Sequence, residues 1–222
     1  MIGVTRAKKP RSLSANAKKW TKELLYAIKE EGLGGAPVRP VLWKRYDKPD
    51  VRKALKEMYG SRCCYCEQRV SQVAAQQIEH RKPKAKDQYP EHTYDWDNLH
   101  LACPKCNGAK SNRWDDEHPI LDAVDDAPIE DHLTYRWRDI YLRRSANTGQ
   151  GTTTIDHADL NRVELEHQRT VAAHHVLQTI ATIKKARDEG RPVGDEMLAE
   201  LRVSAARGEY QSMIRWALQN YL

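Results

Sequence analysis

Apolar residues recur at helical spacing near both ends of this chain and alternate only in its middle. Over 14–31, Trp20, Leu24, Ala27 and Ile28 share one face, and Gly32 is a stop signal, which predicts an amphipathic helix. Residues 33–48 hold Gly34, Gly35, Pro37 and Pro40 and read as a connection. A short helix is expected over 50–59, with Val51, Leu55 and Met58 inward and Gly60 ending it. Residues 78–80 and 98–102 read as two short strands separated by a polar loop containing Pro83 and Pro90. A helix is expected to begin near Pro104, because proline suits a first turn. From 156 onward the pattern is helical again. Leu165, Ala172, Val176, Ile180 and Ile183 form one stripe, broken by Gly190 and Pro192. Met197, Leu198, Leu201 and Ala205 begin another helix, and Tyr210, Ile214, Ala217 and Tyr221 mark a third.

These elements predict an α+β chain, mainly helical, around a small strand–loop–strand–helix module. Four segments are expected: a basic arm with N-terminal helices (1–60), the module (61–113), an acidic connecting region whose elements the pattern does not resolve (114–155), and a helical region (156–222). Residues 1–13, basic and proline-containing, read as a loose arm.

With 222 residues, 40% of them hydrophobic and 31% charged, the chain can build a core and is not disordered in bulk. It has no apolar run of membrane-spanning length, and its first residues lack the apolar centre of a secretory signal. A cytoplasmic, reducing location without a membrane is therefore expected. Net charge is +6, and residues 1–70 hold 17 Lys/Arg against 7 Asp/Glu. Such a surface suits an anionic polymer, although a solvated face has the same composition.

The cysteines change the picture. Cys63-x-x-Cys66 and Cys103-x-x-Cys106 have the spacing of a four-thiolate zinc site. A closed shell of four sulfurs leaves no position for water, so this zinc is expected to be structural. Cys64 reads as a bystander that is able to swap in as a ligand. Between the pairs lie Glu79-His80 and Asn98-Leu99, and Asn107 follows the last cysteine. His80 suits the role of general base near neutral pH. A Glu79 carboxylate and an Asn107 amide oxygen are donors for a hard cation such as Mg²⁺ or Mn²⁺. Asn98 is expected to hydrogen-bond across the long loop and hold His80 in line. Neighbours on a strand face opposite ways, so Glu79 and His80 reach one site only if the strand ends there. Arg81, Lys82, Lys84, Lys86 and Lys110 are candidate phosphate contacts. His100 lies on the same strand face as Asn98, and Arg169 on an apolar stripe suggests a buried ion pair with an acid of 114–155.

Cys63-x-x-Cys66, Glu79-His80, Asn98-Leu99 and Cys103-x-x-Cys106-Asn107 together resemble the HNH endonucleases of the ββα-metal, or His-Me finger, class. Asn107 stands where that signature ends in histidine, which makes this an HNN variant. Tyr46-Asp47-Lys48-Pro49-Asp50-Val51-Arg52, Ile78-Glu79-His80-Arg81-Lys82-Pro83-Lys84, Ile120-Leu121-Asp122 and Leu160-Asn161-Arg162 extend the resemblance to the HNH proteins of retron and Septu (PtuB-like) anti-phage systems. Ala123 departs from that pattern, where a proline is expected soon after Asp122. The resemblance implies a small zinc-stapled ββα-metal finger. It implies a metal-dependent endonuclease acting on DNA or RNA as a defence effector, partnered by an ABC/SMC-like ATPase subunit.

Two other readings compete. A non-catalytic zinc module that binds nucleic acid or a protein has no need for Glu79, His80 and Asn107 to converge. A thiol redox protein would use one CxxC as its reactive pair; two pairs bracketing a helix start argue against it, and full zinc occupancy of the purified protein would exclude it.

Overall fold

The computed structural model describes residues 1–70, 76–126 and 128–222. Its backbone falls into two compact units. One comprises Val4–Cys64 and Val70–Glu117, and the other comprises Met1–Gly3, Tyr65–Arg69 and His118–Leu222.

The first unit is built on helices α1 (Arg11–Gly32) and α2 (Pro49–Tyr59). Asp50 joins them, because its carboxylate accepts from the Ser12 amide at 2.9 Å and the Ser12 hydroxyl at 2.8 Å. It thereby satisfies a donor in the first turn of α1. Gly60 ends α2 at φ 55°, a left-handed position that a β-carbon would strain. Leu13, Leu24, Val51, Leu55 and Tyr59 are buried, and Met58 is only half-buried, so Tyr59 takes the inward position expected of it.

Strands β1 (Gln77–His80) and β2 (Leu99–Ala102) pair antiparallel, with Glu79 opposite His100 and His80 opposite Leu99. Helix α3 (Pro104–Lys110) follows directly, with Pro104 in its first turn. The result is strand, loop, strand, helix. The segment before α1 is not a loose arm. Arg6 donates to the carbonyls of Leu99 at 2.8 Å, Asp97 at 2.9 Å and Trp96 at 3.3 Å, and the Trp96 indole donates to Ala7 O at 2.9 Å. A basic arm thus pins the entry to β2 through backbone acceptors, which hydrophobic patterning does not reveal.

The second unit contains a hairpin, β3 (Leu133–Arg138) and β4 (Tyr141–Ala146), in the region whose pattern was unresolved. Helices α4 (Gly149–His157), α5 (Val163–Asp188), α6 (Val193–Arg207) and α7 (Gln211–Tyr221) complete it. The buried stripe of α5 is Leu165, Arg169, Ala173, Val176, Ile180 and Ile183, so Ala173 rather than Ala172 faces the core. Among the described residues Arg169 finds no acid there. Its guanidinium donates to Leu160 O at 2.7 Å and lies 5.7 Å from the Tyr135 ring centroid, so a carbonyl and an aromatic face take the place of the expected carboxylate. Glu67 is a buried acid of this unit, accepting from Arg144 at 3.3 Å and the Ser212 amide at 2.9 Å. No helix among the described residues is long and apolar enough to cross a membrane.

Candidate active site and zinc cluster

The sulfur atoms of Cys63, Cys66, Cys103 and Cys106 all lie within 4.8 Å of one another. Tetrahedral Zn–S bonds of about 2.3 Å require sulfurs about 3.8 Å apart, so the cluster fits a structural zinc after small adjustment. Cys103 also caps α3, its sulfur accepting from the Cys106 amide at 3.4 Å. The Cys64 amide donates to Leu101 O at 2.8 Å, tying the first knuckle to β2. Its sulfur is outside the cluster. Thiolates at these places fix where β2 stops and α3 starts.

β1 ends at His80, as the convergence of two neighbouring side chains on one site demands. Glu79, His80, Lys84 and Asn107 line one cavity of about 260 Å³, together with Tyr46 and Asn112. His80 Nε2 lies 2.9 Å from the Thr93 carbonyl oxygen. A carbonyl only accepts, so Nε2 carries the proton and Nδ1 keeps its lone pair. The Tyr46 ring packs edge-on against the imidazole, with centroids 4.5 Å apart. Burial, then the charge of Lys84, pushes the His80 pKa down from 6.5 to about 3, so the ring is neutral at pH 7.

Asn98 spans the loop. Its Oδ1 accepts from the Lys82 amide at 2.7 Å, and its Nδ2 donates to Lys82 O at 3.0 Å and His92 O at 3.2 Å. The two-way pairing with Lys82 closes the loop two residues past His80. Asn107 Nδ2 donates to Gln77 Oε1 at 2.5 Å, which leaves the amide oxygen as its donor to a cation.

The basic residues divide sharply. Lys110 is not a phosphate contact. Its side chain is fully buried, with Nζ 2.8 Å from Glu79 Oε1 and 2.9 Å from the His80 carbonyl oxygen. One helical turn past Asn107, Lys110 is expected to face the same groove; instead it turns inward to a partner 31 residues away in sequence, which permits its burial. Lys84 Nζ donates to Tyr46 Oη at 2.7 Å and Trp43 O at 3.1 Å at the cavity edge. Burial, reinforced by Lys44, lowers its pKa to about 8. Lys86 is exposed and sits 3.4 Å from Glu31. Arg81 and Lys82 lie over aromatic rings of Trp114 and Tyr89. Tyr46, Tyr89 and Trp114 were missed as site residues. Tyr46 opens the Tyr46–Arg52 motif, whereas Tyr89 and Trp114 carry no local signal.

A two-strand, one-helix finger with a sulfur cluster at its base and a histidine at the end of its first strand is the arrangement of one nuclease class. The family model for HNH endonuclease matches residues 63–113, which hold this finger. The chain carries an HNH domain. It is also similar to two proteins described as Septu protein PtuB. The one from Bacillus thuringiensis is 29% identical over 137 residues, covering 61% of this chain and 51% of that protein. The one from Bacillus mycoides (strain KBAB4) is 25% identical over 162 residues, covering 60% and 54%. The matches thus span about half the length of these relatives. The chain is thus similar to HNH proteins of the Septu type over about 60% of its length; the retron likeness has no counterpart among these matches.

Proposed function

We propose that this HNH protein is a metal-dependent phosphodiesterase whose cleavage centre is the cavity beside His80, and that it serves as the nuclease effector of an anti-phage defence system. The observation that carries the reading is the Nε2–Thr93 hydrogen bond. It fixes the tautomer in which Nδ1 is the proton acceptor.

In this reading Nδ1 of His80 takes a proton from the attacking water, and Asn98 positions the ring by closing the loop that bears the Thr93 acceptor. Lys84, still largely protonated at neutral pH, offers its charge to the phosphate at the cavity edge. Glu79 and Asn107 supply the oxygen donors for the catalytic cation, a donor set that suits Mg²⁺ or Mn²⁺. When bound there, that cation neutralises charge on the phosphate and the departing oxygen. The Glu79 carboxylate is then shared with the Lys110 ammonium. Arg81, Lys82 and Lys86 extend the positive surface beyond the cavity.

One observation favours a non-catalytic zinc module instead: Glu79 already has a buried cationic partner in Lys110. A nuclease assay with Mg²⁺ or Mn²⁺ on a panel of DNA and RNA separates the two. It is run with and without the ABC/SMC-like ATPase that the Septu resemblance implies as a partner. The His80→Ala protein should lose cleavage by roughly 10²–10⁴-fold while keeping its zinc and its fold. Cleavage at the parent rate by that variant refutes the assignment of His80 as the base.

A further inference from the structure

One group of side chains next to the cavity has no part in the chemistry above. Trp114 and Tyr89 meet edge to face, with centroids 5.8 Å apart. A single oxygen of Asp116 accepts from both, 2.7 Å from Tyr89 Oη and 2.8 Å from Trp114 Nε1. Two aromatic rings that are only half-buried are thus held in place by one exposed carboxylate. Three other aromatic side chains of the same unit, Tyr59, Tyr94 and Trp96, are in its core. The Arg81 guanidinium lies 5.6 Å from the Trp114 centroid, and Lys82 Nζ lies 5.3 Å from that of Tyr89 and 5.9 Å from that of Trp114.

The patch joins the cavity by two routes. Arg81 and Lys82 follow His80 directly, and Lys82 is paired to Asn98. On the other side, Asn112, a lining residue of the cavity, lies two positions before Trp114, and its carbonyl accepts from Gln88 at 3.0 Å next to Tyr89.

Rigid aromatic faces interleaved with cations match an unpaired nucleobase and its flanking phosphates. A base inside a duplex exposes no face to stack on, whereas every unpaired base does. A platform for core packing would bury the rings, and a merely solvated basic face would not need indole and phenol locked by a shared acceptor.

We propose that Tyr89 and Trp114 form a stacking platform for an unpaired base, with Arg81 and Lys82 on the adjoining phosphates, so that the strand delivered to the His80 cavity is single-stranded. This substrate class rests on the nuclease reading, but the platform is tested by binding alone. His80→Ala protein is titrated against fluorescein-labelled oligothymidylate, oligouridylate, a duplex, and an abasic sugar–phosphate strand of equal length and charge, read by fluorescence anisotropy. The single strands should bind more tightly than the abasic strand by roughly five- to a hundredfold. Adding Trp114→Ala should erase that difference while changing duplex affinity less than about twofold. Trp114→Phe, which keeps a ring, should retain most of it. The abasic strand tests the platform without substituting any of its residues. Equal affinity for abasic and intact strands overturns the proposal, as does a Trp114→Ala loss equal for single strand and duplex. Cleavage by the parent protein is scored separately, so a nuclease without the platform and a platform without cleavage give different results.

Discussion

Lys110 and Glu79 form an ion pair at 2.8 Å, with the lysine side chain fully buried and the glutamate nearly so at the cavity wall. The lysine comes from the last turn of α3 and the glutamate from β1, so the pair fastens the helix to the strand that presents His80. The ammonium also reaches the His80 carbonyl oxygen, which holds the strand end as well as the acid.

Removing one member of that pair strands the other in a low-dielectric site. Lys110→Met should cost about 3–5 kcal/mol of stability. The double variant Lys110→Met with Glu79→Gln should recover much of it. Urea unfolding of the three proteins checks this, and a single variant as stable as the parent would show that the pair is hydrated in solution.

Asn98 makes three hydrogen bonds to backbone groups of the loop. Asn98→Leu keeps the size and removes all three, for a cost of about 3 kcal/mol at roughly 1 kcal/mol each. Exchange of the Lys82 amide hydrogen, read by mass spectrometry or NMR, should accelerate. Cleavage should fall by about 10²-fold through misplacement of His80, with zinc content unchanged.

The four thiolates make metal content and folding one equilibrium. Cys103→Ser should purify with less than about one zinc per chain and unfold at lower temperature, and a chelator should have the same effect on the parent. Cys64→Ser should leave zinc stoichiometry untouched. Metal analysis with thermal unfolding separates the two cysteines.

His80 predicts a pH dependence whose sign is fixed. Its folded-state pKa, about 3, is below the unfolded value of 6.5, so between these values the unfolded chain binds more protons. Stability is therefore full above pH 6.5 and falls as pH drops toward 3. At pH 5 the loss from this residue is on the order of 2 kcal/mol. His80→Gln should lack that part of the acid sensitivity, measured as the difference between parent and variant in denaturation free energy at pH 7 and pH 5. An identical slope for both would mean the ring is solvated.

The finger was legible because each of its parts has a local signature. The paired CxxC spacing, the short apolar strands and Pro104 all lie within a few residues of what they specify. The same holds for Asn98, whose place at the end of a polar loop implied bridging. Lys110 was illegible because its burial depends on Glu79, a contact created by topology alone. Arg6 was illegible for a related reason: its acceptors are carbonyls, which no side-chain pattern records. The β3–β4 hairpin did carry a period-two signal, with Leu133 and Tyr135 on one strand and Leu142 and Arg144 on the other turned inward. An arginine among the inward positions hid it, since that guanidinium is buried only because Glu67 and Ser212 receive it.

The reciprocal amide clasp between Asn98 and Lys82 has a further consequence. It closes the loop around the Thr93 carbonyl that holds the imidazole, so the anchored neck, rather than the exposed tip at Lys86 and Asp87, sets the place of His80. Length and composition at that tip can then be rewritten by grafting while the imidazole stays where it is. Such a scaffold tolerates change at one loop end without re-solving the problem of how to hold an imidazole.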